Sequence, residues 1–233
     1  MLEVSKQLTL LQKFVKYHWF LYRVIFSVKT TPARFVRVFY PFYHVFYARA
    51  NFSQKLITVF FQLSDLFFLF DIYEIFTNLI KKSTRALTNE EVLTGKSIFK
   101  NKIDWNVVMY DKNAWSAKPR ICLAYVSFNT INSRQNLPDD ILIHELTHVW
   151  QYQNFGAGYI VNALAAQKSL ERYNYAYYPD WPDTPEFLHF NAEQQADLVQ
   201  DYFLLKQGKS AQWLAIEEKN PDKLSSFLSR FGV

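Results

Sequence analysis

The chain is sparing with the residues that cross-link and punctuate a fold. One cysteine, Cys122, stands among 233 residues, so no disulfide can form within the chain and its fold does not depend on an oxidising compartment. Cys122 lies in an apolar alternation with no sequence neighbour that would lower a thiol pKa, so it reads as a small core residue. Five glycines supply no Gly-rich phosphate loop, which excludes nucleotide hydrolysis of that type. Acids are almost missing from the first stretch: residues 1–55 hold nine Lys or Arg against Glu3 alone, a balance of +8, while the remainder balances at −3. That stretch also lacks an uninterrupted apolar run, because Lys16, His18, Arg23 and Lys29 break each candidate. No secretory signal is therefore expected, which leaves cytoplasmic residence, export by a non-classical route, or association with a membrane.

What the chain does have is apolar and aromatic mass. Half its residues are apolar, 18% are aromatic and 20% are charged, enough to bury one sizeable core with or without an appendage. The basic front mixes cations with rings, as in FVKYHWFLYRVIF and FVRVFYPFYHVFYARANF. The rings can form the core of a helical subdomain with Lys and Arg extended at its rim, or lie at a membrane interface with the cations on anionic lipid. Stacking on nucleic-acid bases suits the same composition but is not the expectation. Residues 56–80 are long enough to cross a bilayer, yet Asp65, Asp71 and Glu74 are expensive in hydrocarbon. One buried helix, or two packed on the aromatic segment, is the better reading. The polar run KKSTRALTN at 81–89 reads as a boundary, and Thr88-x-x-Glu91 as a capping box that opens a helix.

The stretch LIHELTHVWQY contains H-E-x-x-H at His144, Glu145 and His148. On a helix, residues four apart share a face, so the two imidazoles can reach one metal ion with Glu145 beside them. A catalytic Zn²⁺ takes three protein ligands and keeps a position for water. Glu193, in FNAEQQADLVQDYF, can supply the third, and Asp197 one turn later can accept the second ring N–H of a ligating histidine. Pro138, Asp139 and Asp140 predict a helix start and Gly156 its stop; a second helix is predicted from about Asn191 to Gln207, before Gly208. The bland alternative of satisfied helix histidines loses weight because the five-residue pattern and the partner helix occur together, while the alternative that Glu193 and Asp197 are solvated helix carboxylates is the stronger of the two.

Residues 104–111 and 120–128 read as two strands of a hairpin, the second of them an edge or, equally, an interior strand. A helix over roughly 159–171 and a tyrosine-rich loop follow, and Asn220-Pro221 opens a last helix.

The pairing of His144-Glu145-x-x-His148 with Glu193-x-x-x-Asp197 resembles the gluzincin class of zinc metallopeptidases. The fuller wording HELTHVWQYQ, with Trp150 and Gln151, resembles the metallopeptidase core domain associated with extracellular contractile injection systems and Rhs or Vgr proteins. The resemblance covers about residues 104–207 and is specific at the two helices. It implies zinc held by His144, His148 and Glu193, Glu145 as general base, and Asp197 behind the ligands. It also implies an edge strand that pairs with an extended peptide, and a hydrogen-bond donor to the oxyanion. Tyr173, Tyr175 and His189 are candidates for that donor, as are Tyr177 and Tyr178, with no assignment among them.

The expectation is an α+β chain: a zincin-like metallopeptidase domain at 87–233 with a small hairpin or sheet, preceded at 1–86 by a helical, basic and aromatic region. The expected partners are a peptide or protein substrate and, through residues 1–80, a membrane surface or a secretion apparatus. In a rival reading the metal is structural, the chain is inactive, and the first region carries the biology. In a third, residues 1–80 are a pro-region covering the cleft.

Overall fold

A computed structural model describes residues 2–81, 83–114, 123–169, 173–175 and 186–213 with Leu224 and Leu228, and side chains from residue 17 onward. Cys122, Tyr177, Tyr178 and most of the predicted last helix lie outside the described residues.

Helix α1 (Leu2–Arg37) leads through the short α2 (Tyr40–Tyr43) to α3 (Phe52–Leu66) and α4 (Leu69–Ile80). Asn51 and Gln54 form a capping box that starts α3. Between α3 and α4 the chain turns at Phe68, whose φ of 60° is unfavourable for a bulky residue. The Arg34 guanidinium lies over its ring, 5.2 Å from the centroid, and helps hold it there. Residues 56–80 are thus two helices, as one of the readings had it. No single helix is long and apolar enough to cross a membrane among the described residues.

The aromatic residues, however, are not the core of this layer. Arg23, Arg34 and Arg37 are buried between the helices with Asp65, Asp71 and Glu74, and most of the aromatic and aliphatic side chains face outward. Arg23 pairs with Glu74 at 2.6 Å and Asp71 at 3.1 Å, and Arg34 pairs with Asp71 and, at 3.3 Å, with Asp65. The expectation of buried rings with cations at the rim is overturned because these cations have internal acids to pair with.

The sheet has four short strands in the order β1-β2-β4-β3: β1 (Thr84–Ala86), β2 (Met109–Asp111), β3 (Ala124–Ser127) and β4 (Thr130–Ser133). β2 and β4 run parallel, and the outer pairs are antiparallel. The hairpin is therefore β3–β4, joined by a two-residue turn with Phe128 at φ 59°, and not the predicted pairing of 104–111 with 120–128. Residues 105–107 form a 3-10 turn instead of strand. β1 lies inside the polar run read as a boundary, so a division at residue 86 separates β1 from β2, the strand it pairs with. Helix α4 is also tied to the hairpin: Glu74 Oε1 accepts from Asn129 N at 2.9 Å and from the Thr130 hydroxyl at 2.6 Å.

Helices α5 (Asn89–Phe99), α6 (Asp139–Phe155), α7 (Tyr159–Ala166) and α8 (Ala192–Lys206) complete the described fold. The Thr88 capping box opens α5 as predicted. Helix α6 packs against α5, α8, β3 and β4 and is buried on most sides, with Ile143, Leu146 and Val149 meeting Leu198, Val199 and Ile131 in the core. Pro138 is its cap residue, and it stops at Gly156, φ 71°. Asn191 caps α8 through Gln194 N. Helix α7 ends at Ala166, short of the predicted 171.

Candidate metal centre

Burial on most sides makes α6 a rigid carrier, and α8 crosses it so that Glu193 faces the His144–His148 stripe. Glu193 Oε2 lies 3.4 Å from His144 Nε2 and 3.4 Å from His148 Nε2. Ligand atoms about 2.0–2.1 Å from a tetrahedral Zn²⁺ stand about 3.4 Å apart, so these distances fit such an ion. His144, His148 and Glu193 are the one group of three or more potential ligands among the described residues, with all ligand atoms within 4.8 Å of one another.

The far atom of each ligand is tied down. His148 Nδ1 lies 2.8 Å from Gln151 Oε1, while Gln151 Nε2 donates to Ala192 O at 2.9 Å and to Gln195 Oε1 at 3.0 Å. Gln195 Nε2 in turn donates to Phe190 O at 2.9 Å. Main-chain carbonyls only accept, so they fix the direction of both amides, and the proton between Gln151 and His148 belongs to Nδ1. His144 Nδ1 meets Asp197 Oδ1 at 2.8 Å and Gln200 Oε1 at 3.2 Å, and Gln200 Nε2 donates to Asp140 Oδ2 at 3.0 Å. Both rings are thereby set with Nε2 toward Glu193. Gln167 Nε2 donates to Glu193 Oε1 at 2.9 Å, which leaves Oε2 for the convergence point. Trp213 Nε1 donates to Asp197 Oδ2 at 2.6 Å.

The electrostatics favour a cation. Burial opposes charge on His144, but the Asp197 and Glu193 carboxylates outweigh it and hold the imidazole pKa well above the usual value. Burial opposes ionisation of Glu193 too, yet the two histidines hold its carboxyl far below the usual range. A field that attracts a proton to Nε2 attracts a metal ion to the same lone pair.

Glu145 is 6% exposed, and its Oε2 is buried without a hydrogen-bond partner. Burial pushes its pKa up, against the pull of the two histidines. It lines a cleft of about 880 Å³ together with the three candidate ligands, β3, α7, Tyr173 and Trp213. Strand β3 is the edge of the sheet on this side, as one of the two sequence readings had it. Because a two-residue hairpin pairs Ser127 with Thr130, alternation directs the Val126 main-chain groups away from β4.

Of the oxyanion candidates, Tyr173 reaches the cleft, its ring 6.2 Å from that of His144. Tyr175 does not: it is fully buried, and its hydroxyl donates to Asp201 Oδ2 at 2.7 Å. His189 lines a separate cavity of about 210 Å³ beside Tyr47 and Asn162. Tyr159, which the sequence marked only as the start of a helix, also lines the cleft. The Tyr159 ring lies 6.3 Å from that of His148, and its hydroxyl reaches Val126 O at 3.4 Å. From residues 1–86, Tyr73 is the sole lining residue among those described, so the helical layer does not cover the cleft. The orienting roles of the amides Gln151, Gln167 and Gln195 were also missed, Gln151 having entered only as part of the motif wording; an amide three residues after the second histidine is the signal that marks it.

No family model matches the chain, and no solved structure matches it. A search of curated proteins finds similarity to the type VI secretion system spike protein VgrG2b of Pseudomonas aeruginosa, 32% identical over 137 residues. The match takes in 52% of this chain and 13% of that protein, so this chain spans a small part of its relative's length.

Proposed function

We propose that the chain is a zinc-dependent peptidase that works with a type VI secretion apparatus and cuts an extended polypeptide lying along β3. The observation that carries this reading is that Glu193 Oε2 stands 3.4 Å from both imidazole Nε2 atoms, with each outer atom already hydrogen-bonded. What a bound Zn²⁺ supplies is a lowered pKa for water, toward about 7, and polarisation of a substrate carbonyl. Glu145, which lines the cleft beside the candidate ligands, takes the water proton and returns it to the leaving amine. β3 offers main-chain groups to the substrate, which fixes the scissile bond against the ligands. Tyr159 and Tyr173 are placed to donate to the developing oxyanion. The likeness to a spike protein supports the association with secretion.

The test is elemental analysis and peptide hydrolysis on the purified chain. Expected are about one zinc per chain in the wild type, loss of it in Glu193→Ala, and retention in Glu145→Gln with activity down by about 10²-fold or more. Full activity in Glu145→Gln would refute the mechanism. Absence of zinc from a folded wild type that takes up none on addition would refute the site. A purely structural metal has no use for a buried, unpartnered carboxylate beside it, which is why the enzymatic reading is preferred.

A further inference from the structure

The helical layer is turned inside out relative to a water-facing surface. Between residues 56 and 80, all eleven exposed side chains are Leu, Ile, Phe or Tyr, and all seven buried ones are polar or charged. Of the 26 large apolar side chains exposed among the described residues, 23 belong to residues 17–80. Exposed positions from Tyr17 to Tyr43 on α1 and α2 include one charged residue, Lys29. A water-soluble helix turns its apolar stripe inward, and soluble monomers rarely show a contiguous apolar patch of this extent.

We propose that the outward faces of α1, α3 and α4 embed in one leaflet of an anionic lipid bilayer. Four observations select lipid over a protein partner. Among the described side chains the apolar face runs over three helices without an interspersed acid, whereas a protein interface carries a polar rim. The buried ionised groups of the layer balance, three arginines against three acids, as hydrocarbon requires. The main chain is nearly all helical, so its polar groups are satisfied internally. Lys29 and Lys55 belong to a stretch, residues 4–55, whose sequence holds no acid, a charge balance that suits anionic headgroups.

The depth follows from shape. α3 and α4 meet at a bend of 65°, so the pair is not one straight span and, lying shallowly, fits within a single leaflet. Tyr73 stands on the outward side of α4, 56% exposed, and also lines the cleft, so the cleft mouth borders the lipid-facing surface. The inference does not rest on the peptidase reading, since binding is read without hydrolysis.

The experiment is flotation of the full chain with vesicles of phosphatidylethanolamine and phosphatidylglycerol, and with vesicles of phosphatidylcholine alone. The comparison protein carries Phe60→Ser, Ile72→Ser and Phe76→Ser, three outward positions, with circular dichroism and a melting curve as checks on its fold. The wild type is expected to float with the anionic vesicles, to stay bound in high salt, and to exceed the folded triple variant in bound fraction by at least tenfold. If the triple variant does not fold, Phe76→Ser alone is expected to lower the bound fraction severalfold. Wild-type protein that remains at the bottom of the gradient overturns the proposal, whether it is monomeric or paired with a second copy through this face. So does binding that high salt abolishes or that the substitutions leave unchanged, because it would rest on surface charge alone.

Discussion

The amide pair behind His148 gives a test in which metal affinity and fold stability move apart. In Gln151→Leu, His148 Nδ1–H loses its acceptor, and Ala192 O and Gln195 Oε1 lose a donor. Removing such an orienting partner costs about 10–100-fold in metal affinity. That corresponds to about 1.4–2.7 kcal/mol. Each orphaned buried acceptor adds about 1–3 kcal/mol to the loss of stability. In Gln151→Glu the carboxylate still accepts from Nδ1–H, so zinc affinity should hold, while the two acceptors are orphaned as before and stability falls as in the leucine variant. The assay is competition for zinc with a chromophoric chelator, beside thermal melting of the metal-free proteins, where about 2–4 °C is lost per kcal/mol in a chain of this size. Equal loss of affinity in both variants would refute the tautomer argument. Unchanged affinity in both would remove Gln151 from the metal site.

Further outcomes follow from other parts of the molecule. Gly156→Ala should destabilise by about 1–2 kcal/mol in urea titrations, because φ is 71° and the new Cβ would stand 2.4 Å from Gln62 Oε1. Arg23→Met leaves buried Glu74 without its cation, beside an Asp71 that keeps Arg34, and should cost about 3–5 kcal/mol, read in the same titration. Burial opposes ionisation of Asp111, but Lys81 and Ser83 outweigh it and hold its carboxyl below the usual value. Its contribution to stability is therefore present above the unfolded value near about 3.9 and lost as pH falls through the lower folded value; Asp111→Asn should flatten the acid side of a stability-against-pH curve. Zinc affinity should fall about tenfold or more per unit as the medium drops below the raised imidazole values, because the cation must displace protons; chelator competition across pH reads this directly.

The two helices of the site were legible because their signals are local. Asn191 and its N3 partner Gln194 mark the start of α8, Gly156 ends α6, and spacing of four puts His144 above His148. The sheet was not legible. β4 reads TINS, with Thr130, Asn132 and Ser133 buried and hydrogen-bonded to Glu74 of α4, to Thr130 O and to Gln135 O, so it carries no apolar alternation to find. β1 and β2 have three residues each, too short for a period. Helices α3 and α4 show a different failure. An amphipathic period says which residues share a face; it does not say which face meets the solvent, and the usual answer assumes water outside. Asp65, Asp71 and Glu74 were read as a reason for burial of the whole segment, when they mark only its inner side.

Gln151 also decides how much charge the site holds. The Glu193 and Asp197 carboxylates together match a divalent ion, and both imidazoles are neutral when they ligate. The cluster is then close to electroneutral before Glu145 is counted. A carboxylate behind each histidine would leave a surplus negative charge in a pocket where His148 is 7% exposed and Glu193 2%. With an amide there, Glu145 would supply the net charge of the site once the proposed zinc is bound, and a proton arriving on Glu145 would discharge the centre.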